Sequence, residues 1–181
     1  MSYQVAGPEP NLTKIVQDLE TKERMLPNIR HILVLCEGNH CRSPLAEAML
    51  RKGLGPGIRV SSAGLDALVG QSAHPETKAW MAKDGIHLSD ITAHLGRQVT
   101  PDLALSADLI LVMDQAQKIA CERLAPSTRG RVFLLGHWLP QNQQEIPDPI
   151  RGGAEAHRQA HDHIHRAIQP WLSRLAPKNT K

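Results

Sequence analysis

Aromatic residues are scarce in this chain of 181 residues, where one tyrosine, one phenylalanine and three tryptophans make up 3% of the sequence. Proteins that bind single-stranded nucleic acid stack bases on aromatic side chains, so this composition argues against that class. The formal net charge is only +3 and the arginines are scattered along the chain, which also argues against a nucleic-acid partner. We therefore expect no nucleic-acid binding.

Long apolar runs and cysteines are scarce as well. No apolar stretch approaches the roughly 20 residues that a membrane-spanning helix needs, so we expect no membrane span. The first eight residues do not have the basic and then apolar pattern of a secretory signal. The three cysteines favour a reducing compartment over a disulfide framework. The sequence thus predicts a cytoplasmic protein.

Short apolar runs alternate with helix-forming segments from His31 onward. Strands are predicted at 32–35, 58–61, 109–112 and 132–135, and helices at 45–50, 75–83, 115–124 and 154–175. This alternation indicates an α/β fold, with a single domain, a four-stranded parallel sheet and helices on both faces. We divide the chain into an N-terminal extension with an amphipathic helix (1–29), the domain itself (30–176) and a flexible tail (177–181).

A nine-residue segment follows the first predicted strand and reads Cys36-Glu37-Gly38-Asn39-His40-Cys41-Arg42-Ser43-Pro44. Such a loop can turn its backbone N–H groups inward around an oxyanion, and the helix opened by Ser43 and Pro44 directs its positive dipole end to the same point. Arg42 adds a planar fork that can hold two phosphoryl oxygens. The same positive environment stabilises a thiolate, so Cys36 is predicted to be a nucleophile that attacks a phosphate group.

This segment resembles the phosphate loop of the low-molecular-weight protein tyrosine phosphatases, whose usual form is V-C-x-G-N-I-C-R-S-P. The resemblance covers about residues 30–175 and includes the stretches 61–65, 108–114 and 146–150. Within the family, the runs 67–70 and 136–138 are most similar to bacterial members associated with capsule and exopolysaccharide production. The resemblance implies a phosphate loop after the first strand and a phosphatase acting on phosphotyrosine proteins. A bacterial tyrosine kinase of polysaccharide export is the expected partner.

The general acid of this family is the aspartate of a D-P-Y segment, which corresponds to Asp148 between two prolines. We expect Cys36 to attack phosphorus, and Asp148 first to protonate the tyrosine oxygen and then to activate the water that releases phosphate. The phosphoryl oxygens are expected to be held by Arg42 and by the backbone N–H groups of Glu37, Gly38, Asn39, His40, Cys41 and Arg42. Because the loop and Arg42 supply the positive charge, we expect no cofactor and no metal.

Several supporting residues are implied by the resemblance. Asn39 ties the loop into its shape, with an unusual backbone angle that asparagine tolerates. Ser43 hydrogen-bonds the nucleophile and helps to stabilise its thiolate. Ser62 and His94 brace Asn39 from outside, and the alternatives for these two are an ordinary turn serine and a surface histidine. Asp114 is expected to fix local structure.

Three residues depart from the family pattern. Glu37 places in the loop a carboxylate that opposes phosphate binding, although a side chain facing water is well screened. His40 replaces the usual isoleucine and offsets that charge if it is protonated. Ile150 replaces the tyrosine of the D-P-Y segment. We therefore expect looser contacts with the substrate ring, supplied by Leu65, Leu68 and Ile150.

The other two cysteines, Cys41 and Cys121, bear on the alternative interpretations of the loop and of the function. Cys41 either forms a reversible disulfide with Cys36 or fills space behind the loop, and the sequence does not decide between the two. An arsenate reductase on the same fold would need two further relay cysteines, and beyond the loop there is only Cys121. A catalytically weak phosphotyrosine-binding module is the third interpretation. The presence of Cys36, Arg42 and Asp148 argues against it.

The last predicted helix carries four histidines: His157, His161 and His165 at four-residue spacing, and His163. Three imidazoles in a row can hold a transition metal, but beyond Asp162 no further ligand spacing supports this. The row flanks an apolar stripe that is expected to be buried and comprises Ala160, Ile164, Ala167, Ile168, Trp171 and Leu175. We therefore predict that the histidines form a solvated helix face.

Overall fold

A four-stranded parallel sheet forms the centre of the protein, for which a computed structural model describes residues 29–175. The strands are β1 (His31–Cys36), β2 (Arg59–Gly64), β3 (Leu109–Val112) and β4 (Val132–Leu134), and their order is β2-β1-β3-β4. The α-helices of the described residues are α1 (Arg42–Leu54), α2 (Pro75–Lys83), α3 (Leu88–Ala93), α4 (Pro101–Leu105), α5 (Gln115–Leu124) and α6 (Gly153–Leu175). The predicted α/β fold is confirmed.

Helices cover both faces of the sheet, as continuous apolar strands require. Every residue of β1 and β3 is buried. On one face, Ile32 and Val34 pack with residues of α1 and α6. On the other face, Leu33 and Leu35 pack with residues of α4 and α5. Because β1 is buried on both sides, the loop that follows it starts from a fixed point.

The elements around this loop extend further than the sequence predicted. α1 begins at Arg42, directly after the loop, and β2 continues to Gly64, which pairs with Cys36. The bounds of α2, β3 and α5 agree with the prediction. The helices α3 and α4 were not predicted, because six and five residues give too little periodicity to detect.

The prediction for α6 was right about its apolar stripe and wrong about two of its histidines. All six residues predicted to be buried are buried, but so are His157 and His161. The ring of His157 stacks on His74 with the centroids 4.3 Å apart, and His161 stacks on Trp80 at the same distance. Rings from the region of α2 thus widen the buried face of α6, and a solvated histidine face is excluded for these two residues.

Parts of the predicted domain organisation lie outside the described residues. The predicted N-terminal helix falls within residues 1–28 and the predicted tail within 176–181. The proposed domain boundaries therefore stay predictions. Across residues 29–175, no helix combines the length and the apolar character needed to cross a membrane.

Candidate active site

The loop between β1 and α1, called the phosphate loop below (residues 36–42), turns its backbone carbonyls outward. The three carbonyls of residues 36–38 accept N–H bonds of 3.0 Å from the segment that follows β2. The carbonyl of Asn39 accepts a bond of 3.0 Å from His94 Nε2, and that of His40 accepts one of 2.9 Å from the N–H of His74. Neighbouring segments thus hold the outer side of the loop.

The opposite side of the phosphate loop presents N–H groups. A trans peptide places its N–H opposite its carbonyl, so the N–H groups of residues 37–41 face inward. None of them donates a hydrogen bond to the part of the chain that the structure describes. α1 starts at the same point, and its positive dipole end adds to their field. This arrangement has the geometry of an anion-binding nest.

Asn39 fixes the shape of the phosphate loop. Its φ of 50° lies in the left-handed region, which no other non-glycine residue of the described chain adopts. Its Nδ2 donates to Ser43 Oγ and to Ser62 Oγ, at 2.9 Å each. Its Oδ1 accepts a bond of 3.0 Å from the N–H of Arg97. With the bond from His94, the structure brings together the residues that were expected to brace this position.

Cys36 ends β1 with its side chain buried. Its Sγ lies 2.9 Å from Ser43 Oγ. Because Ser43 Oγ already accepts a hydrogen bond from Asn39, its own hydrogen is free to point at the sulfur. A hydroxyl donor in this position stabilises a thiolate.

Arg42 is buried and reaches the segment that carries Asp148. Its Nη2 donates to Asp148 Oδ2 at 2.5 Å, and its Nη1 donates to the carbonyl of Ile146 at 3.0 Å. Asp114 Oδ2 lies 3.9 Å from Nη1, and Asp114 also caps α5, which agrees with its expected local role. The buried Nε of Arg42 has no hydrogen-bond partner within the described chain. An unpaired buried donor is costly, so this atom suits an acceptor oxygen of a ligand.

Asp148 lies at the edge of the site, where its side chain is 37% exposed. Two prolines flank it in sequence, and its Oδ1 accepts a bond of 3.1 Å from the N–H of Ile150. The segment is anchored by the buried Ile146, whose N–H donates to the carbonyl of Met113 at 2.9 Å. A carboxyl group is therefore held beside Arg42 and within reach of water, as a general acid and base requires.

The predicted substrate-flanking residues adjoin the phosphate loop and Asp148. The N–H groups of Leu65 and Leu68 bind the outer carbonyls of the phosphate loop, while Ile150 adjoins Asp148. The side chains of Leu68 and Ile150 are 39% and 45% exposed. Beside Arg42 opens a cleft of about 400 Å³, whose lining includes the carboxylates of Glu37, Asp114, Glu145 and Asp148.

The side chains of Glu37, His40 and Cys41 in the phosphate loop differ in environment. Glu37 is exposed, so water screens its charge. Burial, followed by the neighbouring His74, lowers the pKa of His40, so this imidazole is uncharged at neutral pH and does not offset Glu37 as we had suggested. Burial raises the pKa of the Cys41 thiol to about 12, so Cys41 stays protonated.

Three residues that hold the site together were not found from the sequence: Glu47, Thr77 and Arg97. Glu47 accepts a bond of 2.5 Å from Ser62 Oγ. Thr77 donates its hydroxyl to the carbonyl of Cys41 at 3.4 Å. Arg97 donates its N–H to Asn39 and its Nε to the carbonyl of Ser62. Each acts through a neighbour in space, so no spacing along the chain points to it.

An anion-binding loop with a buried cysteine and arginine, placed at the carboxyl end of a parallel strand, defines a cysteine-dependent phosphatase class. The sequence matches the family described as low molecular weight phosphotyrosine protein phosphatase over residues 31–181, and the chain belongs to this family. The predicted family is confirmed.

Relatives and solved structures agree with this assignment. The chain is 44% identical over 147 residues to EpsP of Ralstonia nicotianae, which is described as a probable low molecular weight protein-tyrosine-phosphatase. The aligned residues cover 81% of this chain and 97% of that protein. It is 41% identical over 145 residues to the phosphatase Etp of Escherichia coli K12, covering 80% and 94%. The structure of the tyrosine phosphatase Wzb from Escherichia coli K30 with sulphate superimposes with a TM-score of 0.75 and is 37% identical in sequence. The match covers 82% of this chain and 99% of that one.

Proposed function

We propose that this chain is a protein tyrosine phosphatase that hydrolyses phosphotyrosine through a phosphocysteine intermediate. The proposal rests above all on the phosphate loop, which presents five unpaired N–H groups and the unpaired Nε of Arg42 beside Cys36. These donors suit the three equatorial oxygens of a phosphoryl group in transfer. The tyrosine phosphatases among the similar proteins support the choice of substrate.

The reaction takes two steps. First, the Cys36 thiolate forms an S–P bond as the bond from phosphorus to the tyrosine oxygen breaks in line, and Asp148 gives its proton to that oxygen. Next, water attacks phosphorus, Asp148 takes a proton from the water, and the S–P bond breaks to restore the thiolate. Arg42 and the N–H groups hold the same oxygens throughout, so the charge is stabilised in both steps.

The contact between Arg42 and Asp148 belongs to the free enzyme. A phosphate dianion offers the guanidinium two oxygens at once and so competes with the single carboxylate oxygen at 2.5 Å. Substrate binding therefore turns Arg42 toward phosphate and releases Asp148. The released carboxyl group is then free to turn to the leaving oxygen, to which it gives its proton.

The expected substrate protein is a bacterial tyrosine kinase of polysaccharide export, dephosphorylated in the cytoplasm. The similarity to EpsP, to AmsI of Erwinia amylovora and to Wzb supports this choice, together with the resemblance of the runs 67–70 and 136–138. No cofactor and no metal take part in the proposed cycle. Incubating the phosphorylated kinase of the same bacterium with the enzyme and with its Cys36→Ser variant tests the pairing.

The arsenate reductase alternative is disfavoured by the position of Cys121. This thiol is fully buried in the apolar cluster on the face of the sheet opposite to that of Cys36. Burial also raises the pKa of the Cys121 thiol. A relay cysteine must be reachable and ionised, and Cys121 is neither.

The test is hydrolysis of a phosphotyrosine peptide, p-nitrophenyl phosphate and a phosphoserine peptide. We expect Cys36→Ser to abolish turnover and Asp148→Asn to lower kcat by about 10²- to 10⁴-fold on the phosphotyrosine peptide. The loss should be smaller on p-nitrophenyl phosphate, because its leaving group needs less protonation. The exposed aspartate of α4 gives the control Asp102→Asn, which should leave kcat unchanged.

Two results would contradict the proposal. Full turnover by Cys36→Ser would rule out the proposed phosphocysteine intermediate. Tight binding of the phosphotyrosine peptide by the wild type without release of phosphate would favour the binding module instead.

A further inference from the structure

Three metal-ligating side chains from different parts of the chain meet behind the phosphate loop. Cys41 belongs to that loop, His74 precedes α2, and His157 lies in α6. One ligand atom of each lies within 4.8 Å of the corresponding atoms of the other two. Zinc bonds of about 2.0–2.3 Å in a tetrahedron hold ligand atoms roughly 3.3–3.7 Å apart. Modest side-chain rotations would therefore bring the three ligand atoms to the spacing of a zinc site.

We propose that Cys41, His74 and His157 bind a divalent transition metal, in the first place zinc. One thiolate and two imidazoles are ligands that zinc prefers, and three protein ligands leave a fourth position for water. None of the three side chains has a part in the proposed reaction. The metal site therefore does not depend on the proposed function.

His157 is the most telling member of the cluster. Its side chain is 4% exposed, yet within residues 29–175 neither of its ring nitrogens makes a hydrogen bond. Because no protein group within these residues hydrogen-bonds to them, the ring nitrogens of His157 are available to a ligand. A cavity of about 10 Å³, close to the space that one water molecule needs, is lined in part by Cys41, Thr77 and His157. Cys41 and His157 thus line the same small cavity, and His74 lies outside its lining.

Coordination requires three changes. The rings of His74 and His157 are stacked with 15° between their planes, so they must tilt until both lone pairs point at one metal. The torsion that tilts a histidine ring is broad and costs little. His74 Nδ1 accepts a bond of 3.2 Å from the N–H of Glu76, which is given up to water when the ring turns. Cys41 releases its proton to solvent as the sulfur–metal bond forms.

His161 provides a matched control for His157. It lies one turn further along α6, is also buried, and also stacks on an aromatic ring, that of Trp80. Its Nε2 is shared with the carboxylate of Asp84 at 3.1 Å, so it already has a partner and stands outside the cluster. Its substitution tests for general effects of changing a buried histidine of this helix.

The experiment is a calorimetric titration of the untagged full chain with zinc chloride after treatment with a chelator. The Cys36→Ser variant serves as the parent, because it removes the catalytic thiol as a competing ligand. We expect one zinc site, weakened at least about 10- to 100-fold by His74→Gln or His157→Gln. His161→Gln should leave the affinity unchanged. Equal affinities for the His157→Gln and His161→Gln proteins would overturn the site.

Cobalt gives a second measurement that does not depend on the folding of the histidine variants. Cobalt bound to the Cys36→Ser parent should show a thiolate charge-transfer band in its absorption spectrum. The band should disappear when Cys41→Ser is added to this parent. A parent that binds cobalt without such a band, or does not bind it, would overturn the assignment of Cys41 as a ligand.

Discussion

Ile150 is the residue at which this chain departs most visibly from its family. It is 45% exposed next to Asp148, where the family pattern has a tyrosine. An aromatic ring there would meet the ring of the substrate, a contact worth about 0.5–1.5 kcal/mol beyond area burial. We expect Ile150→Tyr to raise kcat/KM on a phosphotyrosine peptide by about 2- to 12-fold, mostly through KM.

The control for this substitution is Ile119→Tyr, at a residue of α5 that is 44% exposed. It adds the same ring at an equally exposed position and should not change kcat/KM. Steady-state kinetics on one peptide compares the two variants. An Ile150→Tyr protein with the kinetics of the wild type would show that this position does not face the substrate ring.

Asn39 combines a strained backbone angle with three side-chain hydrogen bonds, and the two contributions can be separated. Asn39→Gly removes the bonds but tolerates the positive φ, whereas Asn39→Ala removes the bonds and adds strain of about 1–2 kcal/mol. We expect both variants to be less stable in urea than the wild type, with Asn39→Ala the less stable of the two. The exposed Asn142→Ala is the control. Equal stability of the two Asn39 variants would show that the positive φ at residue 39 does not strain a non-glycine residue.

Among the elements, β2 supports the phosphate loop from the side through Gly64. A Cβ at this position would lie 2.5 Å from the carbonyl oxygen of Glu37 and 2.9 Å from the backbone of Ala67. Gly64→Ala must therefore push the loop away from its nest geometry. We expect kcat/KM to fall by up to about 100-fold, as for a displacement of roughly 1 Å at a reacting centre.

Gly57→Ala is the matched control for this substitution, because nothing lies within 4 Å of a Cβ there. Inhibition by inorganic phosphate gives a second measurement, since a deformed loop must also bind the free anion less tightly. Unchanged kinetics and phosphate inhibition in Gly64→Ala would mean that the loop does not need this support.

The elements that could be predicted are those with strong local signals. α2 begins at Pro75, and α5 begins directly after the capping Asp114. The apolar run of β3 ends where its strand ends. The shape of the phosphate loop also follows from its own residues, since Gly38 and Asn39 lie beside an arginine and a helix start. The features that were not predicted depend on contacts with residues that are distant in sequence. The burial of His157 depends on a ring from residue 74, and no helical period contains that information.

The stability of the whole domain should depend on pH through its buried imidazoles. Burial is the largest cause that lowers the pKa of five histidines: His31, His40, His74, His137 and His157. Unfolding exposes these rings and restores an ordinary pKa near 6.5. At a pH between the lowered pKa values of the folded protein and 6.5, the unfolded chain binds protons that the folded chain does not. The free energy of unfolding must therefore decrease as the pH falls through 6.5.

His31 tests this dependence away from the site. Its ring is buried at the edge of β1, with Nε2 2.8 Å from Ser61 Oγ and Nδ1 3.1 Å from the carbonyl of Ser106. One such group contributes at most about 1.4 kcal/mol per pH unit. We expect the loss of stability between about pH 7.5 and about pH 5.5, measured by urea unfolding with a chelator present, to be smaller in His31→Gln than in the wild type. The exposed His165→Gln should keep the full pH dependence. If His31→Gln kept it too, the ring at residue 31 would bind its proton equally in the folded and the unfolded chain, and its burial would not control its charge.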